Sequence, residues 1–398
     1  MNITDSPVFC PRPWSTIDMN QHGDIKVCPR NLYPIGNSNA ANIDNIINGQ
    51  VLKSMKESIV AGQWSDNCEY CRRLEDANET SERQHQLSQC STELKSKINE
   101  DINIFRLTEA MINWGNLCNL SCNYCNGDFS TTWQLAQNKT FTLISVPDES
   151  IDWIIKNSEF LHSIMVMGGE PLLQKKLPML LSSLTTQTQI AIPTNLSIPL
   201  ETNPMFNAII KNKDISPVRW YISFDGLGEK FEYVRHGAEW DLFKDNINIL
   251  KKHNQQIIAH PVYGLYSAFD LEEYFDFCVT NDLSVFYGKM QYWPIESDIR
   301  YAPGTIIDLA IENIDRVIEK YKNKINLDEL IDYRNMKTHI MQNSSYSNLS
   351  DQVKASKILE FIQHIENTLP KKKSFAELWP EVHNILLIES KGEVNGKY

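Results

Sequence analysis

Nine cysteines stand in the 398-residue sequence: Cys10, Cys28, Cys68, Cys71, Cys90, Cys118, Cys122, Cys125 and Cys278. An odd number argues against a disulfide framework, and seven of them fall into two sets with the spacing of metal ligands. The first set lies in Trp114-Gly115-Asn116-Leu117-Cys118-Asn119-Leu120-Ser121-Cys122-Asn123-Tyr124-Cys125, one short loop. Three thiolates so spaced can hold three irons of a cubane [4Fe–4S] cluster. With no fourth cysteine nearby in sequence, the fourth iron stays open to a small molecule. The alternatives are chance clustering or zinc, which wants four ligands and finds no partner histidine here.

The second set runs from Cys10-Pro11-Arg12-Pro13-Trp14 through Gly23-Asp24-Ile25-Lys26-Val27-Cys28-Pro29 to Cys68-Glu69-Tyr70-Cys71. A turn at Gln21-His22-Gly23-Asp24 between strands Thr16–Met19 and Ile25–Val27 would bring Cys10 to Cys28, with Cys68 and Cys71 as a chelating pair. Four thiolates make a closed site. Chemistry alone leaves a zinc ribbon and a fully ligated [4Fe–4S] cluster both open. Cys90 reads as an uninvolved thiol and Cys278 as a small buried apolar residue.

The elements that must position these residues follow a rhythm. Strands are expected at residues 110–114, 163–167, 189–192, 219–224, 256–262 and 284–290. Amphipathic helices are expected at 148–155, 172–184, 242–252 and 271–279, with starts at Pro147-Asp148-Glu149 and Phe269-Asp270. Six such units predict an α/β fold with a parallel sheet, curled or closed. The cysteine loop then sits at the C-terminal end of the first strand, where barrels of this kind place their chemistry. Residues 1–105 break the rhythm, with one helical stretch near 43–60. Residues 301–398 read as helices, including a docking segment Phe375-Ala376-Glu377-Leu378-Trp379-Pro380-Glu381. The expected division is 1–105, 106–300 and 301–398.

At the end of the second expected strand stands Met165-Val166-Met167-Gly168-Gly169-Glu170-Pro171, where two glycines allow close backbone approach and Glu170 can accept a hydrogen bond from an amine. Pro193-Thr194-Asn195 ends the third strand, Ser223-Phe224-Asp225-Gly226 the fourth, and Arg235 follows in Tyr233-Val234-Arg235-His236-Gly237. Together with Tyr124 before the last loop cysteine, these ordered motifs over about residues 108–240 resemble the radical SAM superfamily. The resemblance implies a partial (β/α)6 TIM-like barrel. It also implies S-adenosylmethionine (SAM) chelating the open iron, its amine also held by Gly168, Gly169 and Glu170, and Tyr124 against its adenine. Ser223 and Arg235 become candidates for ribose and carboxylate, and Thr194, Asn195 and Asp225 complete the expected cofactor-binding set. Leu196 departs from the glycine that many relatives carry after Thr-Asn. The implied reaction is reductive cleavage of SAM to a 5′-deoxyadenosyl radical that takes a hydrogen atom from substrate, with an electron donor such as flavodoxin or ferredoxin.

The N-terminal set is similar to the half-SPASM or twitch module of such enzymes, on Cys10, Gly23 and Cys28, then the later pair and the Glu75…Ser81-Glu82-Arg83 stretch. It implies an auxiliary [4Fe–4S] cluster, placed before the barrel rather than after it. Because such modules accompany peptide modification, the expected substrate is a ribosomally made peptide or a protein side chain. A small metabolite, or a non-catalytic scaffold, are the alternatives. No catalytic acid or radical-quenching residue stands out.

The formal net charge of −12 lacks the basic stripe a nucleic-acid binder shows, and Lys371, Lys372 and Lys373 read as a solvated helix flank. The start MNITDSPVFC shows no basic stretch leading into an apolar run, and no apolar segment approaches the roughly 20 residues that span a bilayer, so a cytoplasmic protein is expected. His260, Tyr263, Lys289 and Gln291 are expected to face the barrel mouth, and Tyr287, Tyr292 and Trp293 to pack in the core.

Overall fold

The computed structural model describes residues 2–286, 290–322, 327, 330, 333–335 and 348–392. Its strands are β1 (Thr16–Met19), β2 (Asp24–Lys26), β3 (Gly36–Asn37), β4 (Glu109–Asn113), β5 (Ser121–Cys122), β6 (Ser163–Met167), β7 (Gln189–Thr194), β8 (Val218–Ile222), β9 (Arg235–His236), β10 (Gln256–Ala259) and β11 (Ser284–Val285). The chain divides into two compact units. One holds Met1–Leu117, Leu143–Ile192 and Asn203–Val218; the other holds Cys118–Thr142, Pro193–Thr202 and Arg219–Tyr398.

In the first unit β1, β4, β6 and β7 lie parallel in that order, with Thr16 opposite Glu109, Ala110 opposite Ile164 and Ile164 opposite Ile190. Alternation decides which face goes inward. Ala110, Ile112, Ile164 and Val166 are buried, while Met111, Asn113, Met165 and Met167 on the opposite face are half-buried. The expected hairpin forms: β1 pairs antiparallel with β2, Asp18 opposite Lys26, and β2 with β3. The cysteine-rich region is thus continuous with the parallel sheet through β1. The single helix expected over residues 43–60 is two, Ile43–Ile47 and Gln50–Val60, because Gly49 takes an extended conformation between them. Helix Asp148–Lys156 starts behind Pro147 with two acids in its first turn, as expected.

In the second unit β8, β10 and β11 run parallel, Trp220 opposite Ile257 and Ile258 opposite Ser284. A separate antiparallel ribbon joins β5 to β9, with Cys122 opposite Arg235. Helices Trp240–Lys252 and Leu271–Thr280 bury Phe243 and Tyr274 against Phe224, at 5.1 and 4.6 Å between ring centroids. The C-terminal region is helical, with Gly304–Tyr321, Asp351–Thr368, Phe375–Leu378 and Pro380–Ser390. Its expected docking segment does dock. Phe375 and Trp379 pack on Tyr233 and Tyr266, and Trp379 Nε1 donates to Asp270 at 2.7 Å. The class is therefore α/β, parallel strands alternating with helices, followed by a helical C-terminal region.

Three side-chain expectations need correction or fall outside. Tyr292 and Trp293 are 68% and 51% exposed, so they are not core. Lys372 and Lys373 are solvated, but Lys371 turns inward (below). Tyr287 and Lys289 lie outside the described residues. No described helix is long and apolar enough to cross a membrane.

Candidate functional site

The loop after β4 is built by its own polar residues. Ser130 and Thr132 donate to the Leu120 carbonyl, Thr131 and Thr132 to that of Cys118, and Thr131 Oγ1 accepts from Cys118 N–H. Trp133 Nε1 donates to the Cys122 carbonyl at 2.8 Å. The Trp133 ring joins Ile365 and Leu369 in a buried cluster, with Cys125 against it. These hydrogen bonds satisfy loop carbonyls that have no ladder partner. The sequence reading passed over Ser130, Thr131, Thr132 and Trp133. The signal was a Ser/Thr run opening a helix, which marks an N-cap, and Ser130 does cap helix Thr131–Ala136.

Around the thiols the second unit places charge and donors. Arg235 Nη1 lies 4.0 Å from Cys122 Sγ, and Asn195 Nδ2 lies 3.8 Å from Cys118 Sγ and 2.9 Å from Asn119 Oδ1. Asp225, almost wholly buried, accepts from Tyr124 Oη at 2.5 Å, from Arg235 Nε at 3.0 Å and from Val262 N–H at 2.8 Å. Burial by itself would lower the Arg235 pKa, but the adjacent Asp225 carboxylate overrides it and holds the guanidinium charged. Burial raises the Cys122 and Cys125 thiols, a state that thiolate ligation to iron reverses. Thr194 accepts at its carbonyl from Ser223 N–H at 2.9 Å. Leu196, the departure in sequence, is buried with φ +52°, the conformation a glycine takes without strain. His260 stands edge-on to Tyr221 and parallel to Phe286, and burial lowers its pKa to about 4.

In the first unit the chain turns sharply after β6. Gly168 and Gly169 have φ of +98° and +52°, and a Cβ on Gly169 would stand 2.1 Å from the Leu117 carbonyl oxygen. Glu170 is fully buried, its N–H donating to that carbonyl at 2.8 Å and its Oε1 accepting from Leu172 N–H at 3.1 Å.

The same unit holds a small cavity lined by Cys10, Cys28, Cys68 and Cys71 together with Arg12 and Arg83. Arg12 donates to Cys28 Sγ at 3.4 Å and pairs with Glu82 and Glu109. Arg83 grips Glu75 through two nitrogens and donates to the Phe9 carbonyl. Burial pushes the Cys68 thiol up to about 12 and raises Cys10 and Cys28 as well. Among the described residues no group of three or more His, Cys, Asp and Glu side chains closes on a single metal ion.

Residues 112–278 match the Radical SAM superfamily. Those residues form a radical SAM domain. No curated protein matches it. Among solved structures it is similar to SuiB of Streptococcus suis bound to its precursor peptide SuiA, at 17% identity, covering 69% of this chain and 61% of that one, with a TM-score of 0.43. It is also similar to anSMEcpe with bound AdoMet, at 17% identity, 55% and 60% coverage and a TM-score of 0.41. The chain spans about three-fifths of the length of both.

The residues of the radical SAM domain fit the groups such a fold uses. Three cysteines on one loop match an iron–sulfur cluster with an open iron. Gly168 and Gly169 let the turn after β6 press against the backbone of Trp114 and Leu117, where a Cβ would clash.

Proposed function

We propose that this radical SAM enzyme modifies a peptide or protein side chain. Cys118, Cys122 and Cys125 hold the cluster that binds SAM, and Cys10, Cys28, Cys68 and Cys71 hold an auxiliary [4Fe–4S] cluster. When bound, the first cluster and SAM supply a one-electron cleavage that generates the hydrogen-abstracting 5′-deoxyadenosyl group. The chain's own residues bind and orient. Glu170 and the Gly168–Gly169 backbone take the amine of SAM, and Tyr124 takes its adenine. Thr194, Asn195, Ser223, Asp225 and Arg235 line its remaining polar groups. Asp225 keeps Arg235 charged and fixes the Tyr124 hydroxyl. The functional division is then 1–105 for the auxiliary module, 106–300 for the barrel and 301–398 for the extension, in a cytoplasmic enzyme fed by a flavodoxin or ferredoxin.

The observation that carries the peptide reading is the four-cysteine cavity, since a second cluster module accompanies peptide modification. Four thiols around one cavity can supply one thiolate to each iron of a closed [4Fe–4S] cluster. The test is anaerobic turnover with dithionite, SAM and synthetic short peptides encoded beside the gene. A peptide that raises 5′-deoxyadenosine release at least about tenfold and returns with altered mass supports the reading. A rise with sugars or nucleotides and none with peptides moves the substrate to small metabolites.

A further inference from the structure

Lys371 stands apart from its neighbours in the run of three lysines. Lys372 and Lys373 are exposed and paired with Glu232 and Glu229. Lys371 is mostly buried, and its Nζ donates to Asn123 Oδ1 and to the Tyr233 carbonyl, each at 2.7 Å. Asn123 lies between Cys122 and Cys125 in the cluster loop, and its N–H donates to the Val234 carbonyl at 2.8 Å. Both acceptors of Lys371 are neutral, and it forms no ion pair among the described residues. An ammonium removed from water with only neutral partners is costly unless an anion stands close. Burial lowers its pKa to about 7, and the charges opposing that are Cys122 and Glu366. Glu366 is engaged elsewhere, accepting from Tyr233 Oη and Phe375 N–H. The anion that Lys371 lacks is the one Cys122 would help hold: a cubane with three thiolates is a net anion, more so after reduction.

We propose that Lys371, delivered by the C-terminal extension, is the counter-charge of the three-cysteine cluster and favours its reduced state. The proposal rests on that loop holding the cluster. One electron enters from an external low-potential reductant, no bond forms or breaks, and the added negative charge meets the Lys371 ammonium. Lys371 touches neither substrate nor reacting atoms, so its effect is on the equilibrium of the electron-transfer step.

The test is EPR-monitored redox titration of the reconstituted full-length chain with titanium(III), following the iron signal that changes when SAM is added. Lys371→Gln keeps a hydrogen-bond donor and removes the charge. It should disfavour reduction about tenfold, which is ~59 mV for a one-electron couple. Lys371→Arg keeps the charge and should stay near wild type, as should Lys372→Gln and Lys373→Gln. A wild-type potential in Lys371→Gln overturns the proposal, and so does an equal shift in Lys372→Gln. If Lys371→Gln fails to retain iron, full iron in Lys371→Arg supports the charge requirement and loss in both overturns it. A wild type with no SAM-responsive signal removes the cluster reading and this proposal with it. An intact signal with unchanged potential removes the proposal alone.

Discussion

At Gly169 a single methyl group decides whether the turn after β6 can exist, because its Cβ would meet a backbone oxygen that cannot move aside. Gly169→Ala should therefore cost roughly 1–3 kcal/mol in a denaturation midpoint and abolish SAM binding measured by equilibrium dialysis. Asp225 presents a different kind of dependence. Replacing it with Asn leaves Arg235 buried without its carboxylate, a loss of about 3–5 kcal/mol that urea unfolding will register. His260 sets a pH dependence. Its folded pKa of about 4 lies below its unfolded value, so the unfolded chain binds the proton first. The stability it contributes is complete above about pH 6.5 and is lost as pH falls toward 4, on the order of 3 kcal/mol. His260→Phe, which can keep the stack on Phe286, should flatten the change in urea midpoint between pH 7.5 and 5 relative to wild type.

Among elements, the cluster loop depends on a helix far away in sequence. Helix Asp351–Thr368 and the turn after it supply Ile365 and Leu369 against Trp133 and Cys125. Leu369→Ala should destabilise by roughly 2–5 kcal/mol through the cavity it leaves. It should also speed iron loss to a chelator, since that cavity lies against the loop. Trp133→Phe keeps most of the packing and loses one hydrogen bond, to the Cys122 carbonyl, so about 1 kcal/mol and a smaller change in iron loss are expected. Equal iron loss from both variants would mean that the hydrogen bond, and not the packing, holds the loop.

For the molecule as a whole, the two cysteine sets predict two clusters that assemble separately. Anaerobically reconstituted wild type should carry about eight irons, and Cys118/Cys122/Cys125→Ala about four. Cys10/Cys28/Cys68/Cys71→Ala should also carry about four and keep its SAM-dependent EPR change. Four in wild type with one zinc retained would make the N-terminal site structural. Cys10 and Cys28 of the four-cysteine cavity flank the β1–β2 hairpin in sequence, and β1 is a full partner of β4, so this module is stabilised through the parallel sheet rather than by its metal alone.

Much of this was legible in the chain because it is local. Cys118, Cys122 and Cys125 share one loop, Gly168-Gly169-Glu170 follows one strand, and period-two burial marks β4 and β6; each is set by neighbours a few residues away. The hairpin that brings Cys10 toward Cys28 is local as well. What the tertiary structure decided is long-range: Tyr124 meets Asp225 across 101 residues, Arg12 meets Glu109 across 97, and Lys371 reaches Asn123 across 248. A lysine in a short basic run carries no mark of burial. Only the packing of Phe375 and Trp379 on Tyr233 and Tyr266 turns Lys371 inward while Lys372 and Lys373 stay in water. Spacing fixes which side chains can share a loop, but which charge ends beside which thiol depends on how helices dock, and docking is set by apolar surface that no short motif encodes.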